Sequence, residues 1–468
     1  MERNMVDCNT LNISKMHEID FLKSALMMES EVNSVDFILD WLRRKNDQVR
    51  TIVEQVPLHK MDKWGFDPET GNIVHQSGHF FSIEGIRVET NWGKVPFWEQ
   101  PIINQPEIGY LGILTKKIGG ILHFLMQAKI EPGNINIVQL SPTLQATKSN
   151  YTRVHEGKSP LYIEYFNGEK TVNILTDQLQ SEQGARFLKK RNRNIIIEVP
   201  ENEDIPKYDN FIWLTLGQLK KLISQDNIVN MDTRTVVSGI HYGGINGDLV
   251  NPLLKGDSFL SDFDGIISWI TRLKSKYELN VKSIPLNSVA NWGYDGLTYN
   301  HREGKYFSVI GVRVEIDSRE VISWYQPMIK PAQEGLVAFI IKKINGVYHF
   351  LTQAKIEAGN FDILELAPTV QCLTGNYRSG YNEYSVPFIN DVLSASKKQI
   401  WYSAHQSEEG GRFYKEQNLN MIVEVKDDFP IEVPENYCWL TFNQLLTFIK
   451  FNNYLNIEAR SLLSAVTV

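Results

Sequence analysis

The stretch His123-Phe-Leu-Met-Gln-Ala-Lys-Ile-Glu-Pro-Gly-Asn134 returns as His349-Phe-Leu-Thr-Gln-Ala-Lys-Ile-Glu-Ala-Gly-Asn360, with two of twelve positions changed. The two stretches lie 226 residues apart, and the same offset relates Gly78 to Gly304, Gln180 to Gln406 and Trp213 to Trp439. A repeat of that length is far longer than a solenoid unit and matches a whole domain, so one domain plan is expected to be used twice. Positions at which the copies differ become the informative ones.

A chain of 468 residues, 42% of them hydrophobic, is long enough for two cores. Its net charge of −7 argues against a general nucleic-acid or membrane-surface binder. Cys8, Cys372 and Cys438 have neither CxxC nor metal-ligand spacing, which suits a reducing compartment and points away from disulfides and structural zinc. The first residues lack the apolar core of a signal peptide and no run of 18 apolar residues occurs, so the cytoplasm is the expected location.

Helical spacing of apolar residues marks Val35 to Arg44 and Phe263 to Arg272 as the opening helix of each copy. Alternating β-branched and aromatic residues predict strands at Phe80 to Glu89 and Tyr306 to Glu315. Leu111 to Lys129 reads as a hairpin turning at Gly119-Gly120, with Asn345-Gly346 turning its copy. Ile195 to Val199 and Met421 to Val425 read as buried strands, and Trp213 to Ile223 and Trp439 to Ile449 as terminal helices. Each copy is therefore mixed α and β. The predicted division is an N-terminal extension (1–34), a first copy (35–228), a glycine-bearing linker (229–258) and a second copy (259–468).

Two segments of the first copy carry dense polar chemistry. Leu140 to His155 continues to Tyr162, and it brings together groups able to hydrogen-bond sugar hydroxyls and phosphate oxygens. Gln180 to Arg193 places Glu182 beside Arg186, Lys189, Lys190, Arg191 and Arg193, a cation cluster suited to an anion, with a solvated helix face as the plain alternative. In the second copy only Arg412 and Lys415 survive of these five cations, their partners being Glu416, Gln417 and Leu419. A diphosphate gains from convergent donors, so the first copy is expected to be catalytic.

Further stretches are Gln105-Pro-Glu-Ile-Gly109, Gln127 to Asn134, Gln139-Leu-Ser-Pro-Thr-Leu-Gln145, Ser149 to His155, Gln180 to Gly184 and Lys190 to Arg193. In these the chain resembles the NDP-hexose 2,3-dehydratase family of deoxysugar biosynthesis. The resemblance implies two tandem Nudix-like α/β/α domains with mixed sheets, a homodimer, a dTDP-linked 4-keto-6-deoxyglucose substrate and no cofactor or metal. It implies that one of two sugar-nucleotide pockets suffices for catalysis. It also implies a product taken up by a 3-ketoreductase or aminotransferase. GDP in place of dTDP stays open, because no side chain identifies the contact that reads the base. Hydrolytic Nudix enzymes hold magnesium on a glutamate-rich helix, whereas the segment after Gly184 offers Lys189-Lys-Arg191, and cations do not ligate magnesium. That disfavours a pyrophosphatase; a binding protein without turnover is the other alternative.

For 2,3-dehydration the chemistry requires a base for the C3 hydrogen, a donor at the C4 oxygen and an acid for the leaving hydroxyl. Candidate catalytic residues are Lys129, Glu131, Tyr151, His155 and Glu182. Candidate substrate-binding residues are Gln127, Asn150, Arg153, Tyr162, Gln180, Arg186, Lys190, Arg191 and Arg193, with Tyr162 also a candidate proton carrier. The second pocket is predicted around Lys355, Glu357, Asn376, Tyr377, Arg378, Gln406, Glu408 and Arg412. Recurrence of Lys129, Glu131 and Glu182 in both copies also fits a structural use. His123, His349, Trp64 and Trp292 are expected to be core residues.

Overall fold

In each copy a capped helix opens the fold. The computed structural model describes residues 8–148, 159–242, 260–316, 323–373 and 386–467. A first helix, α1 (Cys8–Leu26), precedes α2 (Val35–Gln48), whose Ser34 cap accepts from Phe37 N and whose Val35, Ile38, Trp41 and Leu42 are buried. Nine strands follow: β1 (Thr51–Val56), β2 (Trp64–Phe66), β3 (Ile73–His75), β4 (Ser82–Thr90), β5 (Phe97–Asn104), β6 (Gly109–Ile118), β7 (Ile121–Ile130), β8 (Val138–Ser141) and β9 (Leu144–Ala146). Then come β10 (Asn173–Ser181), β11 (Arg191–Val199), β12 (Phe211–Thr215), α3 (Leu216–Ile223) and α4 (Met231–Val237).

The second copy repeats the order. Helix α5 (Phe263–Lys276) is capped by Asp262. It is followed by β13 (Leu279–Ile284), β14 (Trp292–Tyr294), β15 (Tyr299–His301), β16 (Phe307–Ile316), β17 (Ser323–Pro331), β18 (Gly335–Ile344), β19 (Val347–Lys355), β20 (Glu365–Ala367) and β21 (Val370–Leu373). The copy ends with α6 (Ile389–Leu393), β22 (Ile400–Ser407), β23 (Gln417–Glu424), β24 (Tyr437–Thr441), α7 (Phe442–Ile449) and α8 (Ile457–Ser464).

Each copy holds a seven-stranded mixed sheet, β10-β11-β6-β7-β12 with β8 and β9 attached, and β22-β23-β18-β19 with β20, β21 and β24 attached. Among the described strand pairs, only β11 with β6 and β23 with β18 run parallel. The expected hairpins are present: Gly119 and Gly120 both adopt positive φ, as do Asn345 and Gly346, the backbone that a two-residue turn between strands requires. Mixed α and β content in two repeated halves is borne out.

The halves are nevertheless interlocked. Strand β1 leaves the first copy and pairs with β16 of the second, from Thr51 opposite Ile316 to Val56 opposite Gly311. In return β13 pairs with β4, from Leu279 opposite Thr90 to Ile284 opposite Gly85. Trp64, Phe81 and Phe187 of one copy and Trp292, Phe307 and Phe413 of the other fill one shared core. At the centre, α4 packs on α8. Arg234 donates to Ser461 Oγ (2.8 Å), Ser407 O (2.6 Å) and Val229 O (2.6 Å), and Arg460 donates to Thr235 Oγ1 (2.9 Å), Ser181 O and Leu455 O. Both arginines are 1% exposed, a burial tolerated only because carbonyls and hydroxyls take up their donors.

Three sequence expectations change. We place the start of the linker beyond residue 229, because Val229 to Ser238 is buried and contains α4, which packs on α8 of the second copy. Trp213 and Trp439 lie in strands, and the terminal helices start only at Leu216 and Phe442, where Thr215 with Gln218 and Thr441 with Gln444 form capping boxes. Gln180 to Arg193 holds no helix: it runs from the end of β10 through a turn into β11, so neither a solvated helix face nor a counterpart of a magnesium-binding helix exists there. His123 and His349 are core residues as expected, each with Nδ1 on a backbone carbonyl, and Trp64 and Trp292 are buried.

Candidate functional site

The recurring Glu-x-Gly-Asn turn explains itself through the other copy. Gly133 N donates to Gly410 O at 2.7 Å and Lys415 N to Gly133 O at 2.8 Å; in the mirror arrangement Gly359 N donates to Gly184 O at 2.6 Å and Lys189 N to Gly359 O at 2.9 Å. A Cβ on Gly133 would sit 1.7 Å from Phe413 O, and one on Gly359 at 1.7 Å from Phe187 O. Only glycine permits that approach. Each loop after β10 or β22 is therefore delivered to the opposite copy's pocket.

The first pocket gathers at the end of β7 and the starts of β6 and β11. Lys129 Nζ lies 3.4 Å from Glu131 Oε1, which also accepts from Gln145 Nε2 at 2.8 Å, and Asn230 Nδ2 reaches Gln145 Oε1 at 3.3 Å. Asn192 Nδ2 donates to Glu182 Oε1 at 2.6 Å while Gly109 N donates to Asn192 Oδ1 at 3.1 Å. Lys190 Nζ donates to Glu107 O. Asp232 enters from the first turn of α4, and Glu409 and Arg412 enter from the second copy. Carboxylate oxygens of Glu131, Asp232 and Glu409 lie within 4.8 Å of one another. The Arg412 guanidinium sits 4.0 Å above the Phe81 ring.

Crowding of like charge away from water sets the electrostatics. Burial, then Glu131, pushes Glu409 up to about 7 against the pull of Arg412. Burial, then Glu182, Glu409 and Glu131, holds Asp232 well above the carboxylate range. Burial also raises Glu182, opposed mainly by Lys190, and lowers Lys190 to about 8 despite Glu182. Three carboxylates this close can share a proton or hold a cation; the charges of Lys129 and Arg412 oppose both, and oppose a divalent cation more than a proton.

The second pocket is a cavity of about 210 Å³. Lys355, Glu357, Gln371, Asn418 and Glu458 repeat the first pocket, and Gln183 and Arg186 arrive from the first copy. Lys355 lies 3.4 Å from Glu357, and Gln371 Nε2 donates to Glu357 at 3.1 Å. Glu408 accepts from Asn418 and Gln183 and is pushed to about 8, chiefly by burial and then by Glu416.

The crossing redistributes the predicted site residues. Lys129, Glu131, Glu182 and Lys190 belong to the first pocket, and so does Arg412, which had been assigned to the second. Arg186 belongs to the second, 4.3 Å over Phe307. Lys355 and Glu357 line the second cavity, and Glu408 meets its lining residues Asn418 and Gln183. Arg193 is taken up by Asp177 (Nη2 to Oδ2, 2.6 Å), and Arg191 lies 4.9 Å over the Phe361 ring. Gln180 and Gln406 join the copies, donating to Ile449 O and Ile223 O. Tyr162 is a core residue, 3% exposed with its hydroxyl on Pro206 O, and burial raises its phenol. Gln127 lies in β7 between β8 and β12. Asn150, Tyr151, Arg153, His155, Asn376, Tyr377 and Arg378 lie outside the described residues. Gln145, Asn192, Asp232 and Glu409 escaped the sequence reading. The 226-residue offset carried the signal for three of them, since it returns Gln371, Asn418 and the acid Glu458.

A family model for NDP-hexose 2,3-dehydratase matches the chain twice, over residues 36–240 and 264–466. The chain belongs to the NDP-hexose 2,3-dehydratase family. It is 45% identical over 438 residues to the dTDP-4-dehydro-6-deoxy-alpha-D-glucopyranose 2,3-dehydratase of Saccharopolyspora spinosa, covering 91% of this chain and 90% of that protein. Enzymes of the same name from Amycolatopsis orientalis (42%, covering 91% of this chain and 88% of that protein) and Streptomyces violaceoruber (43%, 91% and 95%) are similar over comparable lengths. The first family match ends at residue 240, beyond α4, in keeping with the place of Asp232 in the fold.

Proposed function

We propose that this protein is a carbon-oxygen lyase that removes the C2 hydroxyl of dTDP-4-dehydro-6-deoxyglucose, with the first pocket as its catalytic site. The observation that carries the reading is full-length similarity to 2,3-dehydratases, joined to a pocket that sets carboxylates beside a lysine. The C3 hydrogen is acidic because the C4 carbonyl can take up the charge as an enolate. Glu131, held by two donors, suits the base, with His155, Tyr151 and Glu182 as further candidates. Lys129 suits stabilisation of the enolate oxygen. Hydroxide leaves C2 as water and the enol becomes a 3,4-diketo-2,6-dideoxy sugar. Lys190 and Arg412, with Asn150 and Arg153 as candidates, suit the diphosphate, which serves as a binding handle. The second pocket binds without turnover.

Such a diketone is reactive and calls for a ketoreductase or aminotransferase to consume it. A homodimer is expected, and sedimentation of the purified chain tests it. Among the described residues no helix is long and apolar enough to cross a membrane. The three-carboxylate cluster favours a second reading, metal-dependent hydrolysis of the diphosphate. One experiment separates them: the chelated protein is mixed with substrate in deuterated water and followed by NMR. Loss of the C2 hydroxyl with deuterium entering C2 supports dehydration. Release of dTMP only after magnesium is added supports hydrolysis, and an intact sugar with broadened resonances supports binding alone.

A further inference from the structure

We propose that Glu409, delivered from the second copy, is the proton donor of the first pocket and passes its proton to the oxygen leaving C2. The inference rests on the dehydratase reading and adds to it a residue that belongs, by sequence, to the copy without turnover.

Backbone bonds between Gly133 and the 410–415 loop fix Glu409 at the site, and its Oε1 accepts from Gly411 N at 3.0 Å. Its Oε2 is enclosed and meets no donor; the same holds for Oε2 of Glu131, a side chain 5% exposed. Carboxylate oxygens so placed, within 4.8 Å of each other and of Asp232, do not all stay ionised, so the cluster stores a proton. Glu409, lifted to about 7, carries that proton part of the time at neutral pH, sharing it with the more deeply buried Asp232, and is the one of the three that is only half-buried. Glu131 faces two donors, Lys129 and Gln145, as a proton acceptor should. Two carboxyl groups in unlike settings thus divide the roles of acid and base.

The step balances. The base takes the C3 proton and the electron pair becomes the enolate; this pair then forms the C2–C3 double bond as the C2–O bond breaks. The proton of Glu409 joins the departing hydroxide as water. Tautomerisation moves one proton from O3 to C2, and transfer from base to Glu409 across the cluster restores both groups. No oxidant or co-reactant is needed.

In the second pocket the corresponding place is held by Gln183, which donates to Glu408 and has no proton to release. Glu357 and Glu458 remain there, and Glu416, also raised to about 7, stands at the place of Lys190, so the second pocket keeps raised carboxyls but has none at the place of Glu409.

The test uses Glu409→Gln in the full chain, with dTDP-4-dehydro-6-deoxyglucose in deuterated water. Wild-type turnover establishes the underlying reading; without it that reading fails, whatever the variant does. Given wild-type turnover, the variant is expected to lose about 10²- to 10⁴-fold in kcat while sugar-nucleotide affinity stays within about threefold. It still exchanges the C3 hydrogen for deuterium, because the base is untouched, and its residual rate lacks the wild-type fall above pH 7. Glu409→Asp, which keeps a carboxyl, retains that fall at an intermediate rate, and settles the matter if the glutamine variant does not fold. Turnover of Glu409→Gln within threefold of wild type overturns the proposal. So does loss of C3 exchange together with elimination, or a wild-type rate abolished by chelator and restored by magnesium.

Discussion

Set side by side, the two pockets keep the same frame and differ in their proton and charge carriers. Lys129 and Lys355, Glu131 and Glu357, Gln145 and Gln371, and Asn192 and Asn418 make matching contacts, and an acid enters from α4 as Asp232 and from α8 as Glu458. The pockets part at Lys190 against Glu416 and at Glu409 against Gln183. Each replacement changes an ionisable group and leaves the backbone bonds in place. Duplication preserved what the interlocked fold demands, namely the glycines, the asparagines and the buried arginines, and changed positions 190 and 409, where chemistry was at stake.

The largest effect is expected from the arginines that cross between copies. Arg412→Ala should lower kcat/KM by about 10²- to 10³-fold, the usual range for a lost cation or donor facing developing or bound negative charge. Arg186→Ala, the same change in the mirror pocket, should cost less than about threefold in rate and lower the number of sugar-nucleotide equivalents bound in calorimetry. Equal rate losses for the two variants would break the assignment of turnover to the first pocket.

Next come the two glycines under the crossing loops. Gly133→Ala and Gly359→Ala force the same clash with a carbonyl oxygen and should each destabilise by about 1–3 kcal/mol, read from denaturant midpoints. Their catalytic effects should diverge, since only Gly133 anchors the loop carrying Glu409 and Arg412. The pair separates damage to the fold from damage to the site.

Lys190 and Glu416 occupy one structural position with opposite pH behaviour. Lys190 is lowered to about 8, so the stability present when it is neutral in both states, above its ordinary value of 10.5, is lost as the pH falls through 8. Lys190→Met removes that penalty, and at pH 7 should raise Tm by a few degrees while slowing turnover. Glu416 is raised to about 7 by burial against Arg186, so its stability is full below 4.5 and is lost as the pH rises through 7. Glu416→Gln should therefore raise Tm at pH 8.5 and leave it near wild type at pH 4. Melting curves across this range check both signs.

Much of this frame was legible in the chain. Periodicity located α2, α5 and the hairpins, and the constant offset located the duplication, because these are local patterns that burial enforces. The crossing was not legible. Strand β1 presents the same alternation whether it pairs within its own copy or with β16, and nothing local in Gln-Ser-Glu-Glu-Gly-Gly says which pocket receives Glu409. Charge counting along the chain misled for the same reason. It summed five cations that the fold sends to a pocket, to the other pocket, to an aromatic ring, to an aspartate and to solvent.

Arg193 gives the smallest expected effect and the most direct test of that count. Its guanidinium is bound in two-point fashion by Asp177 across the β10–β11 pair, at 2.6 and 2.7 Å, and Tyr110 adds a weaker contact. In the second copy the corresponding residues are Ser403 and Leu419, and Leu419 packs against the apolar core. The cation at 193 thus reflects how one sheet closes its edge, with an ion pair where its twin uses an apolar contact. Both partners are about one-third exposed, so Arg193→Leu should shift stability by less than about 1 kcal/mol and leave KM within twofold. A KM raised tenfold or more would return Arg193 to the diphosphate, and with it the reading in which the number of cations, more than their placement by the crossing loops, makes the first pocket the active one.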